Sequence, residues 1–421
     1  MNRLLATIGL TVVMTFGTYT HAATSTTIAE RTTPPDLPAT ALARQAIDAD
    51  LQVIEARRVL EASKHGAAAL RASPHEWTAR LSAQRRSVDT RGTTNEWTAG
   101  VERTVRVGGK AAIDRDLGDV ELEIALARIG EARHEAARML ATLWVEAQAA
   151  SRRRELWAAQ LSFADTSLRA VETRQRAGDA SALDVNIARG DRFEVQRQLS
   201  AAVTAETKAT ATLAVRFPAL KFEAKPLNEP TAIDLTRAEW RERIVLESDP
   251  VRLAAGLLKK AELTAARSRA DRIPDPTFGL YASSEAFRSE RVIGVSVSIP
   301  LSGTYRSERM LQSLQEVEAA RARLERQRRD VETEIVEAYV EATGGLERWR
   351  LAALGLTATQ ESARLTQRAY TLGEADLQTL LQARRQALEA TTAAEQARVE
   401  ALRWQHRLLI DAHLIWGLAD E

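Results

Sequence analysis

Long stretches of the sequence place apolar or small residues at alternating steps of four and three, a spacing that predicts coiled-coil helices. Val331, Ile335, Ala338 and Ala342 follow this spacing. A second seam near the C-terminus comprises Leu380, Ala383, Ala387, Ala390, Ala394, Ala397 and Ala401. The proline-free stretch 111–174 would extend roughly 100 Å as a helix, at about 1.5 Å per residue. Such a helix is too long for an ordinary globular core, so the pattern predicts an elongated helical body.

Two other regions alternate apolar and polar residues with a period of two, which predicts β-hairpins. The first follows Pro74 and spans about 76–107, and the second follows Pro274 and spans about 277–300. The predicted connecting loops are the polar stretches 85–95 and 284–291. Each strand has one apolar and one polar face. The predicted fold class is therefore mainly α with a small β part of four strands.

The two hairpins belong to two similar halves of the chain. Gly303 follows Gly108 by 195 positions, and Gly373 follows Gly178 by the same interval. Each half predicts a helix, a hairpin, a long helix, a glycine turn and a returning helix. The predicted segments are a first repeat 23–216 with its first helix at about 38–72, a connector 217–240, and a second repeat 241–421 with its first helix at about 250–271. The equal interval predicts an internal tandem repeat.

The N-terminus predicts export from the cytoplasm. Arg3 precedes the largely apolar stretch 4–19, and small residues follow at Ala22 and Ala23, so residues 1–22 are predicted to be a cleaved signal peptide. The chain has no cysteine, which excludes disulfides, thiolate ligands and a lipid-modified cysteine. Its 58 basic and 57 acidic residues leave a net charge of +1, which gives no support to nucleic-acid binding.

The predicted strands suit a lipid bilayer, where an apolar face meets lipid and a polar face meets water. A membrane strand needs about 9–11 residues, and the segments have about that length. Trp77, Trp97 and Phe278 are the predicted aromatic residues of the membrane interface. Four strands cannot close on themselves, and open edges in lipid leave backbone groups unsatisfied. Closure therefore requires several chains, and three would leave an open lumen. The alternative is a small soluble sheet.

Several motifs together resemble the TolC-type outer-membrane efflux family. They are Asp249-Pro250 before an alanine-rich helix, the entry 272–279 into a strand, the exit 294–301 from the hairpin, and the glycine turns at Gly178 and Gly373. The resemblance implies a homotrimer in the cell outer membrane, with a twelve-stranded β-barrel continued by an α-helical coiled-coil barrel in the periplasm. It also implies a passive exit duct that docks on a periplasmic adaptor and an inner-membrane RND-type pump. A soluble periplasmic coiled-coil scaffold is the alternative.

A narrower resemblance concerns the substrate. The stretch Val105-Arg106-Val107-Gly108-Gly109-Lys110 is similar to the strand-to-helix turn of the heavy-metal cation efflux branch, of which CzcC is the named example. Some family members carry a ring of aspartates just inside the tunnel tip. Thr379 and Gln382 stand at the matching positions here, so an acidic cation-binding ring is not expected.

The glycine turns are the predicted periplasmic tips of the helical hairpins. The expected adaptor-docking residues are Arg176, Gly178, Asp179, Ser181, Leu183, Gly373, Glu374, Asp376 and Leu377. The resemblance further implies that Asp184 and Tyr370 form a link that holds the tunnel shut. Ser181 and Asp184 also match a capping box at the start of the returning helix, so a purely structural role for Asp184 stays open.

Nothing in the sequence predicts an enzyme. Walker, dinucleotide-binding, zinc-protease and serine-hydrolase motifs are absent, so no catalytic or cofactor residue is expected. His406 and His413 are seven positions apart and share a predicted helix face. Spacing alone is a weak signal for a metal site, and no metal ligand is expected.

Overall fold

The structure is a computed structural model that describes residues 32–418. The predicted signal peptide 1–22 lies outside the described residues. The helices are α1 (Thr40–Asp48), α2 (Leu51–Ala72), α3 (Lys110–Arg176), α4 (Ala182–Arg216), α5 (Arg237–Glu247), α6 (Asp249–Ala270), α7 (Thr304–Leu372) and α8 (Leu377–Asp411). The strands are β1 (Thr78–Val88), β2 (Gly92–Thr104), β3 (Thr277–Glu285) and β4 (Glu290–Ser298), with a 3-10 helix at Ala286–Arg288. The mainly helical fold with a small sheet confirms the predicted fold class.

The helices recur in the same order in both halves of the chain. The long helices α3 and α7 have 67 and 69 residues, and each is followed by a returning helix of 35 residues. Both bounds of α8 lie 195 positions after those of α4. No helix within 32–418 is both long and apolar enough to cross a membrane. The recurring order agrees with the predicted register, while the internal duplication itself stays a prediction.

The prediction of a single helix at about 38–72 is wrong, because the helix is interrupted at Asp50. The amide of Gln52 donates to the Asp50 carboxylate at 2.9 Å, and the Asp50 amide donates to the Ile47 carbonyl at 3.0 Å. An aspartate in extended conformation caps the start of a helix in this way. Two helices, α1 and α2, therefore replace the single predicted one. The last residues of the predicted connector 217–240 belong to α5.

The four strands form one antiparallel sheet in the order β1-β2-β3-β4. Val101 on β2 pairs with Leu280 on β3, which in turn pairs with Val295 on β4. Paired residues in a sheet point to the same face, so the predicted apolar positions of these strands share one face. All four helices connected to the strands join the same end of the sheet, and both hairpin loops lie at the other end.

The first hairpin loop is much shorter than predicted. Strand β1 continues to Val88 and β2 begins at Gly92, so the loop has three residues rather than the predicted 85–95. Gly92 has a φ of 79°, a value that glycine adopts without strain. Pairing continues through Arg85 and Asn95 because backbone hydrogen bonds do not require apolar side chains. As a consequence, Trp97 lies within β2 and not at its predicted start.

The helical core lies between the sheet and the tips of the two helical hairpins, α3–α4 and α7–α8. Val331, Ile335, Ala338 and Ala342 are all buried, as their heptad spacing predicts. They pack against α5 and α8. A second cluster packs α1, α3 and the connector around Trp416, whose indole nitrogen donates to the Pro38 carbonyl at 3.1 Å. The C-terminal segment is therefore part of the core.

A buried lysine joins the sheet to the helical body. Lys110, at the start of α3, is 1% exposed. Its ammonium group donates to the Ile273 carbonyl at 2.7 Å and to Asp275 Oδ1 at 2.8 Å. Gly108 and Gly109 precede it with φ values of 67° and 76°, which glycine adopts most readily. The Gly-Gly-Lys sequence thus has a structural function in turning the chain from β2 into α3.

Candidate functional site: the hairpin tips and the exposed sheet face

The first hairpin tip is built around Arg174 near the end of α3. Its guanidinium donates to Asp179 Oδ2 at 2.8 Å and to the hydroxyl of Tyr370 at 3.0 Å. The guanidinium carbon also lies 5.4 Å from the centre of the Tyr370 ring. Gly178 reverses the chain with a φ of 81°. The hydrogen bond that Arg174 donates to Asp179, and then the nearby Tyr370, raise the pKa of Arg174. Arg174 therefore connects the α3 tip to α7.

Asp184 caps the start of α4. The amide and the hydroxyl of Ser181 donate to Asp184 Oδ2 at 2.9 and 2.7 Å, and the Asp184 amide donates to Ser181 Oγ at 3.1 Å. This is the reciprocal arrangement of a capping box. The Ser181 hydroxyl, then its amide, hold the pKa of Asp184 below its usual value, and the Arg174 charge lowers it further. The capping role predicted as an alternative for Asp184 is present.

The second tip has a similar construction with a simpler cap. Gly373 ends α7 with a φ of 78°. Asp376 Oδ1 then accepts a hydrogen bond of 2.7 Å from the Thr379 amide at the start of α8. This bond lowers the pKa of Asp376. Both tips thus place a carboxylate at a helix N-terminus, where the helix dipole favours negative charge.

The two tips pack against each other through a small apolar cluster. Its buried members are Val171, Val185, Ala188, Leu377 and Leu381. Tyr370 and Ala180 lie at its edge. Leu377 is 4% exposed because its side chain packs inside this cluster, and its docking role stays a prediction. Leu183 is 66% exposed and remains available for contact with another protein.

The other predicted docking residues lie on the surface. The exposed residues at the tips are Arg176, Gly178, Asp179, Ser181, Leu183, Gly373, Glu374 and Asp376. The structure does not join Asp184 directly to Tyr370 within one chain, since the Asp184 carboxylate accepts from Ser181 and the Tyr370 hydroxyl accepts from Arg174. Sequence reasoning missed Arg174, although its position four residues before Gly178 was a usable signal for a tip residue.

The sheet exposes a continuous apolar face. Leu81, Leu280, Ile293 and Val295 are all more than half exposed, and Ile293 reaches 88%. The registers place these residues in two neighbouring cross-strand rows. A contiguous apolar surface of this kind marks contact with a membrane or a partner.

The opposite face is polar and internally hydrogen-bonded. Arg80 donates to Glu102 at 2.8 Å, and Gln84 donates to the buried Glu96 at 2.8 Å. The backbone amide of Ala286 also donates to Glu96, at 3.1 Å. The sheet is thus two-sided, as the alternation predicts.

The predicted interfacial aromatic residues occupy different positions on the sheet. Trp77 directly precedes β1 and is 67% exposed, with the Arg103 guanidinium 5.5 Å from its ring centre. Phe278 lies near the start of β3 and pairs with Arg103 on the neighbouring strand β2. Trp97 is exposed but lies near the middle of its strand, opposite Ala83. Trp77 and Phe278 therefore lie at the helical end of the sheet, and Trp97 does not.

Comparison with known structures identifies the fold. No protein-family model and no curated protein sequence matches the chain. The outer membrane protein VceC from Vibrio cholerae is similar with a TM-score of 0.73 and 16% identity, over 88% of this chain and 95% of VceC. The Campylobacter jejuni CmeC outer membrane channel has a TM-score of 0.68 and 13% identity, over 90% and 86%. The Neisseria gonorrhoeae MtrE outer membrane channel, in its open state, has a TM-score of 0.65 and 17% identity, over 90% and 89%. The chain has the fold of these outer-membrane channels.

Proposed function

We propose that the chain is the subunit of an outer-membrane exit duct that passively conducts substrates in a tripartite efflux system. The observation that carries the proposal is the exposed apolar face of a sheet whose edge strands, β1 and β4, have no partner among the described residues. Lipid would cover this face, and neighbouring copies would pair with the edges. The shared fold with outer-membrane channels supports the same assignment.

The proposed assembly is a homotrimer with a twelve-stranded barrel in the cell outer membrane. Three copies supply the strands and place three pairs of long helices side by side below them. Helices α3 and α7, with 67 and 69 residues, each extend roughly 100 Å, enough to form a long periplasmic tunnel. The polar face of the sheet would line the lumen.

The tips are the proposed contact with the rest of the system. The surface formed by Arg176, Asp179, Leu183 and Glu374 is exposed and carries both charges beside an apolar side chain. We propose that a periplasmic adaptor binds there and joins the duct to an inner-membrane RND-type pump. The pump supplies the energy, since a passive duct does no chemistry.

We propose that Arg174 mediates the gate link. Its guanidinium binds Tyr370 on the second hairpin, and its charge acts on Asp184 on the first. Asp184 and Tyr370 are thus connected through Arg174 instead of directly. Opening the tunnel would require the two helical hairpins to separate and the Arg174–Tyr370 hydrogen bond to break.

Heavy-metal cations are the proposed substrate class, on the resemblance of the Gly-Gly-Lys turn alone. Lys110 is buried, so a structural role is enough to explain the Gly-Gly-Lys turn. The substrate class therefore needs a direct test. Deleting the gene should raise sensitivity to zinc, cobalt or cadmium while leaving drug sensitivity unchanged. The reverse pattern would assign a drug-type system.

The duct assignment is tested by fractionation of cells that make the full chain. We expect the protein in the outer-membrane fraction, as a trimer that resists dodecyl sulfate without heating and dissociates on boiling. A soluble periplasmic monomer would instead support the alternative, a coiled-coil scaffold. That alternative is disfavoured by Ile293 and Val295, which a soluble sheet would leave in water.

A further inference from the structure

Two histidines and an aspartate from three distant parts of the chain converge inside the helical body. His134 lies on α3, Asp249 is the first residue of α6, and His413 follows the end of α8. One donor atom from each residue lies within 4.8 Å of the other two. His134 and Asp249 are buried, and His413 is partly buried. The cluster lies apart from the sheet and from the hairpin tips.

The spacing of the two imidazoles suits a shared metal ion. His134 Nδ1 lies 3.2 Å from His413 Nε2. Zinc binds histidine nitrogens at about 2.0–2.1 Å, so two nitrogens of a tetrahedral site lie about 3.3 Å apart. The ring planes are inclined by 55°, with centroids 5.2 Å apart, so the rings do not stack. The two nitrogens therefore lie at about the separation that one shared ion requires.

A carboxylate behind His134 fixes the orientation of its ring. His134 Nε2 lies 3.1 Å from Asp411 Oδ1, which also accepts a hydrogen bond of 2.8 Å from Arg138. With its Nε2–H donated to Asp411, neutral His134 presents the Nδ1 lone pair to the cluster. Metal-binding histidines usually donate their second nitrogen to a carboxylate in this way.

The position of Asp249 depends on a glycine. A Cβ atom added at Gly130 would lie 2.5 Å from Asp249 Oδ1. Gly130 precedes His134 by one helical turn on the same face of α3. The glycine thus leaves the space in which the carboxylate reaches the two histidines. The Arg252 guanidinium lies 3.5 Å from Asp249 Oδ1 and places a positive charge beside the buried carboxylate.

A cavity of about 320 Å³ borders the cluster at His134. Its walls include His134, Asp411, Ser248 and Pro250. Two imidazoles and one carboxylate make a donor set of borderline softness, which suits zinc and similar transition metals better than calcium or magnesium. Three protein ligands leave a fourth position for water.

We propose that His134, His413 and Asp249 bind one zinc-type divalent cation per chain. The ion connects α3, the start of α6 and the C-terminal segment, and it stabilises the junction of the two halves of the chain. The competing arrangement is a metal-free histidine pair joined by a hydrogen bond. The proposal does not depend on the proposed duct function, because metal binding is measured on the folded full-length protein without a transport assay.

The test is zinc binding by the purified full-length protein without a histidine tag, after removal of bound metal with a chelator. We expect one zinc per chain by elemental analysis after re-addition, and a higher melting temperature in zinc than in chelator. Cobalt in place of zinc should give the visible absorption of a four-coordinate site. Wild-type protein that retains no zinc would overturn the proposal.

Variants locate the site. His413→Gln and Asp249→Asn should each lower zinc affinity roughly tenfold or more, and Gly130→Ala should do so by displacing Asp249. His406→Gln is the matched control, since His406 is a buried histidine on α8 beside Asp36, 3.7 Å away. Zinc affinity should be unchanged in this control. Equal affinity in wild type and His413→Gln would place the ion elsewhere and overturn the assignment, as would loss of binding in His406→Gln alone.

Discussion

The buried Lys110 and the largely buried Asp275 form an ion pair that joins the first half of the chain to the second. Lys110 Nζ lies 2.8 Å from Asp275 Oδ1, which also accepts a hydrogen bond of 2.9 Å from the Val107 amide. Burial opposes ionisation of Asp275, but these hydrogen bonds outweigh it and lower its pKa. The Asp275 carboxylate, in the turn from α6 into β3, thus binds two residues of the turn from β2 into α3.

Removing the Lys110 charge should destabilise the protein. Lys110→Met removes the donor of the Ile273 carbonyl and the cationic partner of Asp275, and breaking a buried pair costs about 3 kcal/mol. We expect a lower melting temperature by circular dichroism in detergent. Lys260→Met is the control, because Lys260 pairs with Glu121 on the surface, where an ion pair contributes about 0–1 kcal/mol. Equal melting temperatures for the two variants would contradict the structural role of Lys110.

The gate link should be sensitive to the Tyr370 hydroxyl. Tyr370→Phe removes the acceptor of the Arg174 hydrogen bond, worth about 1 kcal/mol, and should raise the ratio of open to closed channels about fivefold. Arg174→Gln and Asp184→Ala should act in the same direction. Tyr305→Phe is the control, since Tyr305 lies at the other end of α7 and is exposed. Bilayer recordings measure the effect, and unchanged opening in Tyr370→Phe would refute the link.

The Asp184 cap should fail in acid. Because the pKa of Asp184 is lower in the folded protein than its ordinary value of 3.8, its stabilising contribution is complete above the unfolded pKa. It is lost as the pH falls through the folded pKa. Hydrogen exchange, corrected for intrinsic rates, should show protection of the first turn of α4 at pH 6 and less near pH 3.

The variant Asp184→Asn provides the control for the acid effect. It should abolish the pH dependence at the start of α4, because asparagine does not titrate in this range. The start of α8, capped by Asp376, should keep its own pH dependence in the same sample. Unchanged pH dependence at α4 in Asp184→Asn would assign the acid effect to another group.

A charge on the apolar sheet face should prevent insertion. Ile293→Lys would place a lysine in lipid, at a cost of about 2–4 kcal/mol near the middle of a bilayer. Val292→Lys is the matched control, since the neighbouring Val292 pairs with Ser283 on the polar face. We expect less trimer in the outer membrane for Ile293→Lys only. A soluble sheet would tolerate a lysine better at the 88% exposed Ile293 than at Val292.

Patterns that repeat along the chain were predicted well from the sequence. The heptad seam at Val331 and Ile335 is buried, and the period-two alternation placed Leu280 and Val295 on one face. These features depend only on helix and strand geometry, which sequence spacing specifies directly. The fold class was confirmed for that reason.

Features that depend on contacts between distant residues were not predictable. The break before α2 depends on a single cap at Asp50, and the burial of Leu377 depends on packing against α3 and α4. His413 was considered with His406, but its partner is His134, 279 positions away. No local pattern marks such a pair, since only the folded helices bring it together.

The central claim, that the chain forms a conducting duct, is tested most directly in planar lipid bilayers. Purified full-length protein should insert as a trimer and produce uniform conductance steps, and Tyr370→Phe should increase the open fraction. Protein that remains monomeric and adds no conductance, under conditions where a known porin inserts, would contradict the account.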